Sequence, residues 1–118
     1  MGKSVLRDKS FDLAKKIVLL HKEICENKKE FVISKQILRS GTAVGALIRE
    51  AEFAESNLDF IHKFAIAQKE CNETLYWLDL LLETEYITKT KYDAIYTIAY
   101  EILKMLISTI NTLKKKRK

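Results

Sequence analysis

Two glycines four residues apart, Gly41 and Gly45, lie inside a helical sequence pattern and constrain the fold of this chain more than any other feature. Each glycine makes a helix less stable by about 1 kcal/mol than alanine would, so a compensating contact is expected. Residues at i and i+4 share one helical face, and the small neighbours Ser40 and Ala43 leave space beside it. Such a face lets another backbone approach closely. We therefore predict a tightly packed pair of helices inside the protomer.

Length and composition favour one all-helical domain. The chain has 118 residues, no proline and 47% hydrophobic residues, so no proline divides it into strands and tight turns. It lacks an apolar run of the roughly 18 residues that a membrane span needs. Cys25 and Cys71 form neither a metal-binding nor a CxxC spacing, and no signal peptide is recognised. We expect a cytoplasmic protein in a reducing compartment, with a domain at 1–113 and a basic tail at 114–118.

The helix starts are predicted at hydroxyl side chains that can cap a first turn: Ser10, Ser34, Ser56 and Thr88. Asp59 follows Ser56 by three residues, as in a capping box. The first helix is predicted from Phe11 to about Asn27, and the third ends near Thr84. With short links between them, four helices form an antiparallel up-down-up-down four-helix bundle.

Apolar residues at helical spacing give the predicted inner faces. They are Phe11, Ala14, Ile17, Val18, Leu20 and Ile24 in the first helix; Ile37, Gly41, Val44, Ile48 and Ala51 in the second; Phe60, Phe64, Ala67, Cys71, Thr74, Leu78 and Leu81 in the third; and Tyr92, Ile95, Ala99, Ile102, Leu106, Ile110 and Leu113 in the fourth.

The third and fourth helices carry more apolar surface than a four-helix core uses. A helix of a monomeric bundle needs only about a 100° apolar stripe. The excess predicts contacts between subunits of a homo-oligomer, with these candidate interface residues: Ile66, Trp77, Leu80, Ile98 and Met105.

Charge is distributed unevenly along the chain. Residues 1–49 carry 11 Lys and Arg against 5 Asp and Glu, whereas residues 50–113 carry 5 against 11, and the last five residues are all basic. Such polarity suits contacts between subunits and leaves a cationic tail that we expect to be mobile. The candidate nucleic-acid-binding residues are Lys15, Lys16, Lys35, Arg49, Lys114, Lys115, Lys116, Arg117 and Lys118.

The acidic pair Glu70 and Glu73 resembles the carboxylates of di-iron bundles only superficially. Those sites need a Glu-x-x-His motif on each of two helices, and the nearest sequence here is Asp59-x-x-His62. We therefore expect no metal and no cofactor. The favoured interpretation is a structural ion-pair network that fixes register, formed by Arg39, Glu50, Glu70 and Glu73.

No arrangement of side chains predicts catalysis. His21 and His62 fall on different helices, and no motif places a serine or cysteine nucleophile beside either. Cys71 falls on the inner face of the third helix and is interpreted as a small core residue. The aromatic residues do not interleave with basic ones as they do in base-stacking platforms, so Trp77, Tyr76 and the tyrosines of the fourth helix are interpreted as packing or interface residues. We expect no catalytic residues and no enzymatic activity.

Several segments together resemble the small bacterial four-helix-bundle proteins encoded in intervening sequences of 23S ribosomal RNA genes. The resemblance covers about residues 8–113 and is carried by Ser10-Phe11-Asp12, Phe31-Val32-Ile33-Ser34-Lys35-Gln36, Leu38-Arg39-Ser40-Gly41-Thr42, Asp59-Phe60, Ala67, Lys69-Glu70, Glu73-Thr74 and Tyr76-Trp77-Leu78. The chain departs from the family in having Leu47 where Asn is usual and Arg49 where a small residue is usual. It also resembles the accessory variability determinant of diversity-generating retroelements. That resemblance implies a pentamer that binds nucleic acid and a reverse transcriptase.

Two functions from different classes follow from these features. The first is a nucleic-acid-associated assembly protein, in which a ring of subunits gathers basic residues into one cationic surface for RNA or DNA. The second is a protein-interaction scaffold, in which the same surface binds an acidic partner. Neither involves catalysis.

Overall fold

The chain folds as a bundle of long helices. This computed structural model describes the backbone of residues 2–117 and the side chains of residues 5–116. Within that range the elements are α1 (Gly2–Lys28), α2 (Ile33–Ala51), α3 (Asn57–Glu83) and α4 (Lys89–Arg117). Connections of only four or five residues make consecutive helices antiparallel, and α4 returns to pack on α1. The predicted four-helix bundle is confirmed, with dimensions of 50 × 22 × 21 Å.

An apolar core runs along the bundle axis. The face predicted for α2 is fully buried, and the faces predicted for α3 and α4 are buried except at Phe60, Tyr92 and Leu113, which are partly exposed. Hydrogen bonds inside the core link neighbouring helices. Thr74 Oγ1 donates to Ser40 Oγ at 2.9 Å between α3 and α2, and the Cys71 thiol donates to the Ala99 carbonyl oxygen at 3.2 Å between α3 and α4.

The glycine pair lies where α1 and α2 approach each other. A Cβ on Gly41 would lie 2.8 Å from Ile17 Cγ1, closer than real Cβ contacts come. A Cβ on Gly45 would lie 3.3 Å from the Ser10 carbonyl oxygen. Both glycines therefore face α1, and the predicted close pair of helices is confirmed.

The start of α1 was wrongly predicted. The helix begins at Gly2, and Ser10 lies buried within it, where its hydroxyl donates to the Arg7 carbonyl oxygen at 3.0 Å. Leu6 is buried and continues the inner face one turn upstream, which stabilises the additional helix. The inner face therefore runs through Leu6, Ser10, Leu13, Ile17, Leu20 and Ile24. Phe11 falls outside this face and is 52% exposed, so its assignment to the core was wrong.

The start of α2 is capped by a carboxylate rather than by Ser34. Oxygen atoms of Glu30 accept hydrogen bonds from the backbone N–H groups of Val32, Ile33 and Ser34 at 3.0, 2.9 and 2.8 Å. Ser34 is buried in the first turn, and its hydroxyl donates to the Glu30 carbonyl oxygen at 2.8 Å. A negative charge at the amino end of a helix also interacts favourably with its dipole. The prediction of Ser34 as the cap was therefore wrong.

The caps predicted for the starts of α3 and α4 are confirmed. Ser56 Oγ accepts from the Asp59 N–H at 3.1 Å, and Thr88 Oγ1 accepts from the Lys91 N–H at 3.2 Å. Helix α3 ends in a Schellman turn, in which the Tyr86 N–H donates to the Leu81 carbonyl oxygen across Glu85. Glu85 has a φ of 65°, so a non-glycine residue occupies the left-handed position of this turn.

The basic carboxyl terminus continues α4. Residues 114–117 belong to this helix, so the expected mobile tail is a helical extension as far as Arg117. Side chains of Lys114, Lys115 and Lys116 are exposed. The Arg117 side chain and the whole of Lys118 lie outside the described residues.

Replacing Gly45 by leucine tests the close approach of α1 and α2. Helix propensity alone would stabilise Gly45→Leu by most of 1 kcal/mol. Overpacking against the α1 backbone at Ser10 should instead destabilise it by about 1–3 kcal/mol or more. Urea denaturation measures the change, and Ala46→Leu, at the neighbouring exposed position, is the matched control. A Gly45→Leu variant as stable as the control would contradict the contact.

The Glu30 cap predicts a pH-dependent contribution to stability. Burial raises the pKa of this carboxyl, but three backbone N–H bonds outweigh that effect and lower the pKa from 4.5. The stabilisation is therefore fully present above the unfolded pKa and is lost as the pH falls through the folded one. Glu30→Gln should reduce the free energy of unfolding at pH 7 by about 0.5–2 kcal/mol.

Urea denaturation of wild type and Glu30→Gln between neutral and acidic pH checks this expectation. The difference should shrink as the pH falls below 4.5, the unfolded value. Glu26→Gln, at an exposed position of α1, is the control and should show no such trend. A difference for Glu30→Gln that stays constant with pH would show that the carboxylate charge does not act as the cap.

Candidate functional site

Lys15 and Arg49 come from different helices and meet around the exposed ring of Phe11. The Lys15 Nζ lies 5.7 Å and the Arg49 Cζ 5.3 Å from the ring centroid, within the range of cation–π interactions. Both side chains are exposed. Among the described residues neither makes an ion pair with an acidic side chain. Their positive charges therefore remain available to a ligand.

A groove of about 330 Å³ between α1 and α2 opens beside this ring. Small residues form much of its lining, and Arg7, Phe11 and Arg49 provide its larger side chains. Arg7 lies 3.7 Å from Glu52, so its charge is partly balanced. We define the α1–α2 groove by its lining residues: Arg7, Ser10, Phe11, Ala14, Thr42, Gly45, Ala46 and Arg49.

The other predicted cations lie apart from this groove. Lys16 forms an ion pair with Asp12 at 3.3 Å and lines a cavity between α1 and α4. Lys35 is in the first turn of α2, about 21 Å along the helix from Arg49. Because α2 and α4 run in the same direction, the exposed Lys114, Lys115 and Lys116 lie at the Arg49 end of the bundle. The structure therefore brings together Lys15 and Arg49, with the α4 terminus at the same end.

The residues of the predicted ion-pair network are only partly in contact. Arg39 lies 3.6 Å from Glu73, which also accepts a 3.0 Å hydrogen bond from the indole of Trp77. Glu50 instead pairs with Lys63 at 3.3 Å. Glu70 has one buried carboxylate oxygen with no hydrogen-bond partner among the described residues. Since the Arg39 side chain is 64% exposed, its pair with Glu73 adds little to stability.

The candidate interface residues lie on two opposite faces of the bundle. Trp77 is on the α2–α3 face because its partner Glu73 also contacts Arg39 of α2. Met105 is on the α1–α4 face, where it lines a groove together with Lys9. On α3, Ile66 shares the face of Trp77 about 16 Å away along the helix, and Leu80 lies one turn after Trp77. Ile98 shares the face of Met105 on α4, and all five residues are partly exposed.

The cysteines and histidines lie in different surroundings. Within the described range no three His, Cys, Asp or Glu side chains are grouped as metal ligands would be. Burial raises the pKa of the Cys71 thiol to about 12, which keeps it protonated at neutral pH. Cys25 is partly exposed, with its sulfur 3.7 Å from His21 Nε2 and 3.6 Å from Ser34 Oγ. His62 is exposed on α3.

Comparison with known proteins places this geometry in a family. The model of the 23S rRNA-intervening sequence protein family matches residues 3–108. The chain belongs to that family. A crystal structure of a protein of unknown function from the S23 ribosomal protein family of Bacteroides thetaiotaomicron is 56% identical, with a TM-score of 0.92. The alignment covers 94% of this chain and 99% of that one.

No curated protein matches this member of the 23S rRNA-intervening sequence protein family. The descriptions of the matching family and structure name no catalytic activity. In the described range no helix is long and apolar enough to cross a membrane.

The aromatic part of the site was missed by sequence analysis. Phe11 and Lys15 are four residues apart and share a helical face, a spacing that indicates their contact. Arg49 is 38 positions away from Phe11, and the packing of α1 against the glycine face of α2 brings the two together. The interpretation that aromatic and basic residues are not interleaved is wrong for Phe11 in three dimensions. It is also wrong for Tyr100, which lies under Lys104 at 5.0 Å.

Proposed function

We propose that this protein is a non-enzymatic homo-oligomer that associates with nucleic acid through a cationic surface. The observation that carries the proposal is the convergence of Lys15 and Arg49 at an exposed aromatic ring, where neither has an acidic partner in the described part of the chain. The basic end of α4 lies at the same end of the bundle and adds further charge. Phosphate groups favour such clusters because their neutralisation releases condensed counterions.

Repetition of the surface would compensate for the few phosphate contacts that one subunit offers. A ring of subunits links several weak sites, and the affinity of the whole exceeds that of each part. Two different apolar faces on opposite sides of the protomer suit the head-to-tail contacts from which rings are built. The family resemblance makes a pentamer the proposed state, with Trp77 on one contact face and Met105 on the other.

The oligomer should therefore be a pentamer of about 69 kDa, given a chain of 13.7 kDa. Light scattering after size exclusion measures its mass. Met105→Glu or Leu80→Glu alone should dissociate it, because burying an unpaired charge in either contact costs several kcal/mol. Circular dichroism establishes that each variant is folded, and Phe53→Glu, at an 87% exposed site, is the control. A wild-type monomer at tens of micromolar protein would contradict the assembly.

Binding of nucleic acid should be salt-sensitive and tolerant of sequence. Affinity should fall steeply between about 50 and 200 mM salt. Deleting residues 114–118 should flatten the slope of log K against log[salt] by nearly one unit for each lost phosphate contact. Arg49→Glu should weaken binding without unfolding the protein, because Arg49 is exposed and makes no ion pair in the described part of the chain.

Fluorescence anisotropy with labelled RNA and DNA measures these effects. Lys69→Glu, at an exposed position of α3, is the matched charge reversal and should weaken binding less than Arg49→Glu does. Absence of any binding at 50 mM salt would overturn the proposal and favour a scaffold for an acidic protein. If the deletion and Arg49→Glu both leave the affinity unchanged, the proposal is likewise overturned in favour of a scaffold.

A further inference from the structure

The α1–α2 groove combines three features that suit one chemical class of ligand. The Phe11 ring stands half exposed at its edge, and two cations lie within 6 Å of the ring centroid. Ala14, Gly45 and Ala46 line the adjoining surface with at most a methyl group, so no bulky side chain covers it. A flat aromatic group can approach such a ring, and an attached anion then lies within reach of the long Lys15 and Arg49 side chains.

Hydroxyl groups in the groove are already engaged in their own helices. Ser10 Oγ donates to the Arg7 carbonyl oxygen, and Thr42 Oγ1 donates to the Leu38 carbonyl oxygen at 2.8 Å. Neither hydroxyl proton is therefore available to a ligand without breaking a local bond. The groove offers a ring face and positive charge rather than donors that read base edges, which predicts tolerance of base sequence.

We infer that the α1–α2 groove binds an unpaired nucleobase stacked on Phe11, with the adjoining phosphate held by Lys15 and Arg49. The ligand class is single-stranded nucleic acid, and this inference rests on the proposed association with nucleic acid. A base that stacks on Phe11 takes the place of a cation at the ring face, and the displaced cation turns to the phosphate. Duplex bases already stack on one another and expose no free face, so the groove distinguishes single strands from duplexes.

The test compares a fluorescein-labelled single strand of about 12 nucleotides with a hairpin duplex of the same length, in both RNA and DNA. Anisotropy titrations use the full-length wild type, Phe11→Ala, Phe11→Tyr and the control Phe53→Ala. Phe11→Ala should weaken single-strand binding about 5-fold or more. Phe11→Tyr should retain affinity because it keeps the ring. Thermal denaturation establishes that each variant is folded.

Salt dependence separates stacking from charge. Phe11→Ala removes no charge, so it should lower single-strand affinity without changing the slope of log K against log[salt], whereas Arg49→Ala should flatten that slope. Duplex affinity should be the same in Phe11→Ala and wild type.

Other results would overturn the inference. If Phe11→Ala weakens duplex and single-strand binding equally, or has no more effect than Phe53→Ala, the ring is not a stacking site. The proposed nucleic-acid association would survive that result, provided that salt-sensitive binding by wild type persists. If wild type binds neither single strand nor duplex at 50 mM salt, the proposed function fails together with this inference.

Discussion

The contact between α1 and the glycine face of α2 is the interaction on which the rest of this bundle depends. Ile17 is fully buried against Gly41, and the Ser10 backbone lies beside Gly45. The two glycines together weaken α2 by about 2 kcal/mol relative to alanine. Burial of the Ile17 side chain stabilises the fold by about 1.5–3 kcal/mol, so this single contact offsets most of that loss. It also sets the register in which the two helices pair.

That register determines the chemistry of the outer surface. With Ser10 beside Gly45, Arg49 lies near Phe11 and a low groove remains between the helices. Elsewhere, lysines such as Lys16 and Lys91 have carboxylate partners, which reduces their attraction for a further anion. Among the described residues Lys15 and Arg49 have no carboxylate partner, and both lie against the Phe11 ring, so the packing that stabilises the protomer also brings two such positive charges together.

The sequence predicted the fold well because helical periodicity is a strong signal. The buried residues of α2, α3 and α4 follow it closely, and both glycines proved to mark a close helix contact. Errors arose where several side chains could satisfy the same backbone groups. Glu30 reaches the first N–H groups of α2 from outside the helix, so Ser34 is free to be buried.

The candidate site was predicted less completely than the fold. Lys15 and Lys16 are adjacent in sequence but face different neighbouring helices, because successive residues of a helix are about 100° apart. Likewise, the Phe11–Arg49 contact depends on how α1 and α2 are aligned along each other. The apolar periodicity of a single helix gives no information about that alignment. Family membership came from motif order and spacing, yet it assigns no role to these side chains.

A double-mutant cycle between Gly41 and Ile17 tests the central contact most directly. In the wild-type background Gly41→Ala should destabilise the protein, because the new methyl group would meet Ile17 Cγ1 at 2.8 Å. In an Ile17→Ala background the same substitution should instead stabilise it by up to about 1 kcal/mol, the helix propensity of alanine over glycine. Urea denaturation of the four proteins gives the coupling energy, expected at about 0.5–3 kcal/mol. An equal effect of Gly41→Ala in both backgrounds would contradict the account.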